Sequence, residues 1–259
     1  MRKVSIIGIG AGDPEQVTVQ AVRALNEVDV FFMLDKGVET SDLVAVRQQI
    51  CDRYIERPYR VVVTDDPERD LRGASYGAAV QAWHEQRVDI YERLIGEELD
   101  DGQCGALLVW GDPSLYDSTL RILDQVAARG TVAFEVEVIP GISSVQVLAA
   151  RHRIPLHGIG EPVRITTGRQ LAAGWPDGAQ SVVVMLDGSC AFKDVDPEGT
   201  TIYWGAYLGM EDELLIAGPL AERSGEIQRV RAEARARKGW MFDTYLLRRA
   251  ATVSPPAPP

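Results

Sequence analysis

The sequence predicts an α/β fold made of two α/β domains. Three observations predict it. Short apolar runs rich in Val, Ile and Leu alternate with longer segments of helical periodicity. The early runs lack polar alternation, as expected of parallel strands covered on both faces. Glycine-containing turns follow directly on three of those runs, where open α/β sheets carry their ligand loops.

Residues 4–9 are β-branched, apolar and closed by glycine, and read as a buried strand. Residues 17–26 place Val17, Ala21, Val22 and Leu25 at helical spacing. A second strand is expected over 28–34, and Ser41 reads as the N-cap of a helix carrying Val44, Val46 and Ile50. A strand at 59–64, a long polar helix at 76–99, a strand at 106–110 and a helix at 115–128 continue the alternation. A strand at 134–139 and a helix at 142–150 come next. Beyond about 155 the texture changes to strands at 163–167, 181–186, 201–207, 213–217 and 241–248, with one clear late helix at 220–238. We therefore expect domains over 1–135 and 136–250, the second with a mixed sheet, and a Pro-rich solvated tail over 251–259.

With 259 residues, 46% hydrophobic and 25% charged, the composition is that of an ordinary globular protein. The formal charge of 27 − 38 = −11 argues against a surface that grips nucleic acid or an anionic membrane. No apolar run reaches the roughly 18 residues of a membrane span. The run at 4–9 is too short for a secretory leader, so a cytoplasmic protein is expected. Cys51, Cys104 and Cys190 form neither a disulfide framework nor a metal motif and read as reduced thiols. His84 and His157 match no ligand spacing, so no metal is expected. Trp110, Trp204 and Trp240 read as core.

Three strand–turn–helix junctions carry the chemistry. The first is Gly8-Ile-Gly10-Ala-Gly12-Asp13-Pro14, where glycines permit a sharp turn and close ligand approach. It also allows a turn of purely geometric purpose. A nicotinamide-binding domain is the rival, with Asp35 where a ribose-binding acid would lie, but the third glycine of Gly-x-Gly-x-x-Gly is missing. The second is Trp110-Gly111-Asp112-Pro113-Ser114-Leu115-Tyr116, in which Asp112 caps and Pro113 opens a helix. The third is Pro140-Gly141-Ile142-Ser143-Ser144, with two hydroxyls beside the free N–H groups of a helix start.

These three junctions, in this order and separation, resemble the tetrapyrrole methylase family over residues 3–249. A likeness to the branch of that family that methylates precorrin-5 at C-1 extends through Phe31-Phe-Met-Leu-Asp35-Lys36-Gly37, Ala149-Ala-Arg-His-Arg-Ile154, Gly160-Glu-Pro-Val-Arg-Ile-Thr-Thr-Gly168, Met185-Leu-Asp-Gly188, Tyr203-Trp-Gly-Ala-Tyr-Leu-Gly209 and Trp240-Met-Phe-Asp-Thr-Tyr-Leu-Leu-Arg-Arg249. The resemblance implies two α/β domains with S-adenosylmethionine in the cleft between them, a tetrapyrrole substrate and a homodimer. It implies C-methylation of a corrin precursor in cobalamin synthesis, at C-1 of precorrin-5 with release of acetate. Methylation at another ring position is the alternative within the family, and a catalytically silent binding domain is the alternative outside enzymes.

By the resemblance, Gly111, Asp112, Pro113, Ser114 and Tyr116 would contact the donor's methionine part, with Ser143 and Ser144 near it. Leu186, where many relatives have methionine, would contribute a backbone contact, and Ala206, Tyr207 and Thr244 would enclose the adenosine. Gly10, Gly12, Asp13 and Pro14 would face the tetrapyrrole, although relatives commonly have proline at the position of Ala11. Acetate loss consumes water, so Asp35, Asp112 and Tyr116 are candidates to steer it or accept a proton. A substrate rich in carboxylates demands local cations in an acidic protein. Lys36, Arg151, Arg153 and Arg164, with His152 and Arg169, are the best placed by sequence, though a solvated helix end explains 151–153 equally well. Residues 229–238 read as the exposed face of an amphipathic helix.

Overall fold

The computed structural model describes residues 1–35, 41–67 and 76–250. The chain divides into two compact units, Met1–Ser143 and Ser144–Pro259. The first alternates strand and helix: β1 (Arg2–Gly8), α1 (Val19–Leu25), β2 (Val30–Asp35), α2 (Ser41–Tyr54), β3 (Arg60–Asp65), α3 (Tyr76–Glu98), β4 (Cys104–Val109), α4 (Thr119–Arg129) and β5 (Phe134–Ile139). Its sheet has the order β3-β2-β4-β1-β5, with every pairing parallel. The pleat sends alternate side chains of β4 to opposite faces. Leu107 and Val109 join the core beneath α3 and α4, while Ala106, Leu108 and Trp110 join the core beneath α1 and α2. Fully burying such side chains contributes roughly 1.5–3 kcal/mol each, which is why these runs show no polar alternation.

Three helices begin later than the periodicity suggests, at Val19, Thr119 and Ser144, and caps account for the first two. Asp13 accepts a hydrogen bond from the Glu15 N–H and opens a short 3-10 turn at Pro14–Gln16. The helix proper then waits for Thr18, whose Oγ1 accepts from the Ala21 N–H at 3.0 Å. Similarly, residues 111–116 stay a loop, and α4 starts where Asp117 accepts from the Thr119 N–H at 2.7 Å.

The second unit contains α5 (Ser144–His152), β6 (Val163–Thr167), α6 (Gly168–Ala172), β7 (Ser181–Met185), β8 (Thr200–Ala206), β9 (Leu214–Pro219), α7 (Leu220–Lys238) and β10 (Asp243–Arg249). The sheet runs β6-β7-β10-β8-β9, parallel only at β6–β7, and is therefore mixed. The boundary falls after Ser143 and not at 135, because β5 is zipped in parallel to β1 from Arg2↔Phe134 to Ile7↔Ile139. The reading of 229–238 as a wholly exposed helix face also needs correction. Arg231 is buried, on one stripe with Leu220, Ile227 and Ala234. Short α6 has no counterpart in the sequence reading, since five residues are too few to show a period. The tail at 251–259 lies outside the described residues.

Candidate active site

The three junctions read from sequence leave the carboxyl ends of β4, β1 and β5, which are neighbours in the first sheet. Their backbones close on one another. Gly111 N–H donates to Gly10 O at 2.8 Å, and Ile9 N–H donates to Val109 O at 2.9 Å. A Cβ on Gly8 would stand 2.7 Å from Gly141 N, 2.8 Å from Gly141 Cα and 2.9 Å from Gly111 O, so glycine is required by close approach. Gly10 and Gly111 take positive φ of 83° and 63°.

Asp112 binds the loops together. Its Oδ1 accepts from the Ser114 N–H at 2.9 Å and from the Ser114 hydroxyl, and its Oδ2 accepts from the Gly141 N–H at 2.9 Å. Burial works to raise its pKa, but the Ser114 hydroxyl and the Gly141 and Ser114 N–H groups outweigh that and hold the carboxyl below its ordinary range. Both oxygens are thereby engaged by the protein, which suits a loop organiser better than a proton acceptor. Tyr116 stands left-handed at φ 55° and 43% exposed, with burial alone pushing its phenol up. Asp35 is exposed at the carboxyl end of β2, on the same edge of the sheet. Asp13, Pro14, Gly10 and Gly12 form the turn after β1, where Tyr54 OH donates to Pro14 O at 3.0 Å. Lys36 lies outside the described residues.

In the second unit, five of the residues expected around the donor gather at one end of the mixed sheet. Thr244, second residue of β10, is in register with Met185, the residue before Leu186, and Asp243 pairs with Ala206. Ser144, at the start of α5, and Thr244 share a hydrogen bond of 2.8 Å between their hydroxyls. Leu186 and Tyr207 are left-handed at φ 53° and 50°, Leu186 being 63% exposed and Tyr207 buried. The chain has five non-glycine residues of positive φ among those described, and three of them are Tyr116, Leu186 and Tyr207. Such conformations cost about 1–3 kcal/mol each and collect at functional sites. Among the described residues, neither Tyr116 nor Leu186 has a hydrogen-bond partner for its main chain.

The cations assigned from sequence are less well gathered. Arg151 pairs with Glu213 at 3.0 Å, Arg153 is exposed with φ 56°, and Arg164 is exposed on the edge strand β6.

Sequence reasoning missed a buried polar network behind Leu186. Asp187 accepts from Tyr245 OH and from the Ala191 N–H, each at 2.6 Å, and Arg231 Nη2 donates to Asp187 O at 2.6 Å. Arg231 Nε also donates to Asp243 Oδ2 at 2.9 Å, which the Trp204 indole joins at 3.0 Å. Burial and the neighbouring Asp187 charge push the Tyr245 phenol far up, so it stays a donor. The signal available was the 220, 227, 231, 234 spacing, which puts Arg231 on the apolar stripe.

The profile of the Tetrapyrrole (Corrin/Porphyrin) Methylases matches residues 3–223. The chain is 52% identical over 97% of its length, and 97% of the other's, to the Precorrin-6A synthase [deacetylating] of Sinorhizobium sp. Among solved structures, it resembles a cobalamin-synthesis-related protein (CobF) of Corynebacterium diphtheriae, with 40% identity, TM-score 0.82, and coverage of 96% of this chain and 99% of that one. It shares the fold of the uroporphyrin-III C-methyltransferase of Thermus thermophilus, solved with S-adenosylhomocysteine, at 18% identity and TM-score 0.57, covering 95% of this chain and 96% of that one.

Proposed function

The chain belongs to the tetrapyrrole (corrin/porphyrin) methylase family, and from that premise we propose that it methylates precorrin-5 at C-1 with release of acetate, giving precorrin-6A in cobalamin synthesis. The observation that carries this reading is the 52% identity, across nearly the full length of both chains, to a Precorrin-6A synthase [deacetylating]. The strained turns at Tyr116, Leu186 and Tyr207 support it from the side of the structure.

S-adenosylmethionine, when bound, supplies a sulfonium methyl already activated toward a carbon nucleophile. The protein's remaining work is alignment, worth up to roughly 7–11 kcal/mol in the best intramolecular cases. On this reading the loop at 111–116 holds the donor's methionine part. Ser143, Ser144 and Thr244 border it, and Leu186, Ala206 and Tyr207 surround the adenosine. The turn Gly10, Gly12, Asp13, Pro14 faces the macrocycle. Asp112 keeps the loop in place through the Gly141 and Ser114 N–H groups. Tyr116, protonated at neutral pH, is a hydrogen-bond donor, and Asp35 is the exposed carboxylate suited to steering the water that acetyl loss consumes. Family resemblance supports a homodimer, and the free thiols support a reducing, cytoplasmic setting. No helix among the described residues is long and apolar enough to cross a membrane.

Incubating the protein with precorrin-5 and S-adenosylmethionine tests the proposal. The product should gain one methyl, lose the acetyl and release one acetate per turnover. Methylated product without acetate would assign the chain to another ring position. Calorimetric binding of NAD in place of S-adenosylhomocysteine would overturn the reading altogether. If Asp35→Asn leaves acetate release unchanged, Asp35 does not steer the water.

A further inference from the structure

Arg47 lies on α2, the helix whose end caps the first glycine turn: Tyr54 donates to Pro14 O, and Arg53 pairs with Glu15 at 2.8 Å. About 10 Å earlier along that helix, the Arg47 guanidinium sits 5.4 Å from the centre of the Trp110 ring, immediately before Gly111. It is also within electrostatic reach of Asp117, beyond the 111–116 loop, and of Tyr91 on α3. Helix α2 packs on one face of the first sheet and α3 on the other. Trp110 follows the last residue of β4, so a side chain of α2 held on its ring lies at the carboxyl end of that strand.

Arg47 is only half exposed, yet among the described residues no carboxylate lies within ion-pair distance of it and no hydrogen bond engages it. Burial pulls its pKa down by more than Tyr91, Asp117 and Cys51 lift it. The adjoining Trp110 Nε1 is likewise buried without a partner. An aromatic face that carries a guanidinium leaves the fork of N–H donors directed away from the ring, the geometry for binding a carboxylate through two parallel bonds.

We propose that Arg47, held on Trp110 at the carboxyl edge of the first sheet, binds a carboxylate of the tetrapyrrole substrate. The inference rests on the tetrapyrrole reading above and adds to it a cation that none of the sequence motifs contains.

The test is titration of the protein with uroporphyrin III, an octacarboxylate tetrapyrrole, followed by absorbance, alongside calorimetric titration with S-adenosylhomocysteine. Losing one charge-assisted contact should weaken uroporphyrin III binding by roughly ten- to a hundredfold in Arg47→Gln, with an intermediate loss in Arg47→Lys. Binding of S-adenosylhomocysteine should not change in either variant, which also shows that both are folded. Equal uroporphyrin III affinity in wild type and Arg47→Gln would overturn the assignment. So would a wild type that takes S-adenosylhomocysteine but no uroporphyrin III. A wild type that binds neither ligand would instead bring down the tetrapyrrole reading itself.

Discussion

Replacing Gly8 by alanine should damage both stability and donor binding, and the size follows from the three backbone atoms around it. The new Cβ would stand 2.7–2.9 Å from Gly141 N, Gly141 Cα and Gly111 O. Ordinary contact begins near 3.4 Å, so two backbone segments must each retreat by about 0.5–0.7 Å. Neither can swing aside as a side chain would. Gly111 is bonded to Gly10 on one side and leads into Asp112 on the other, whose Oδ2 holds Gly141. Overpacking of this kind costs about 1–3 kcal/mol. For a chain of this size that is a fall of roughly 2–12 °C in melting temperature. Because a misplacement near 1 Å in a positioning site can cost about a hundredfold, S-adenosylhomocysteine affinity should fall more steeply than stability alone suggests. Gly225→Ala is the control. That glycine is exposed inside α7, its added Cβ would meet nothing within 4 Å, and the change should stabilise by about 0.5–1 kcal/mol. Thermal unfolding and calorimetric titration of the two variants decide the matter. An unchanged melting temperature and affinity in Gly8→Ala would refute the close-packing account.

Asp112 has a folded pKa below its unfolded value, so its contribution to stability is complete above the ordinary carboxylate range near 4 and fades as pH falls through the folded value. Urea unfolding of wild type and Asp112→Asn should accordingly differ at pH 7 and converge toward pH 3. Leu186→Gly should raise stability by about 0.5–1 kcal/mol, since left-handed geometry costs leucine more than glycine and little burial is lost, a change readable by thermal unfolding. Arg231→Met should cost about 3–5 kcal/mol by leaving Asp243 buried and unpaired, and Arg231→Met with Asp243→Asn should recover much of it in the same assay.

Most of the architecture was legible because it rests on burial. A parallel sheet covered on both faces demands unbroken apolar strands, so the runs feeding β1, β2 and β4 stand out against their helices. The site was legible at its glycines for a related reason. Gly8, Gly111 and Gly141 are spaced far apart along the chain, but each follows a strand end, and strand order makes those ends neighbours. What stayed hidden depends on partners that local sequence does not announce. Arg231 looks like any helix arginine until its stripe is traced to Leu220 and Ile227, and Asp187 looks like a turn residue until Tyr245 is brought to it. Arg47 was overlooked because nothing in a single polar helix shows which of its arginines reaches a sheet edge.

The way the acidic side chains are spent is what separates this site from one built for acid–base work. Asp13 caps a 3-10 turn, Asp112 joins two strand-end turns, and Asp187 and Asp243 secure the base of the Leu186 loop. Asp13, Asp112 and Asp187 are consumed in holding backbone and Asp243 in holding Arg231 and Trp204, so they have little capacity left to shuttle a proton. A reaction limited by proton transfer would suffer from that arrangement. One limited by the alignment of a reactive methyl with a carbon nucleophile benefits from it, because rigid turns lower the cost of reaching the reactive geometry. The same economy explains why a chain of net charge −11 can serve an anionic macrocycle. With Asp112 spent on holding the turns, Arg47 on the Trp110 ring is, on the proposal above, the cation that offers an anionic macrocycle a partner at the carboxyl edge.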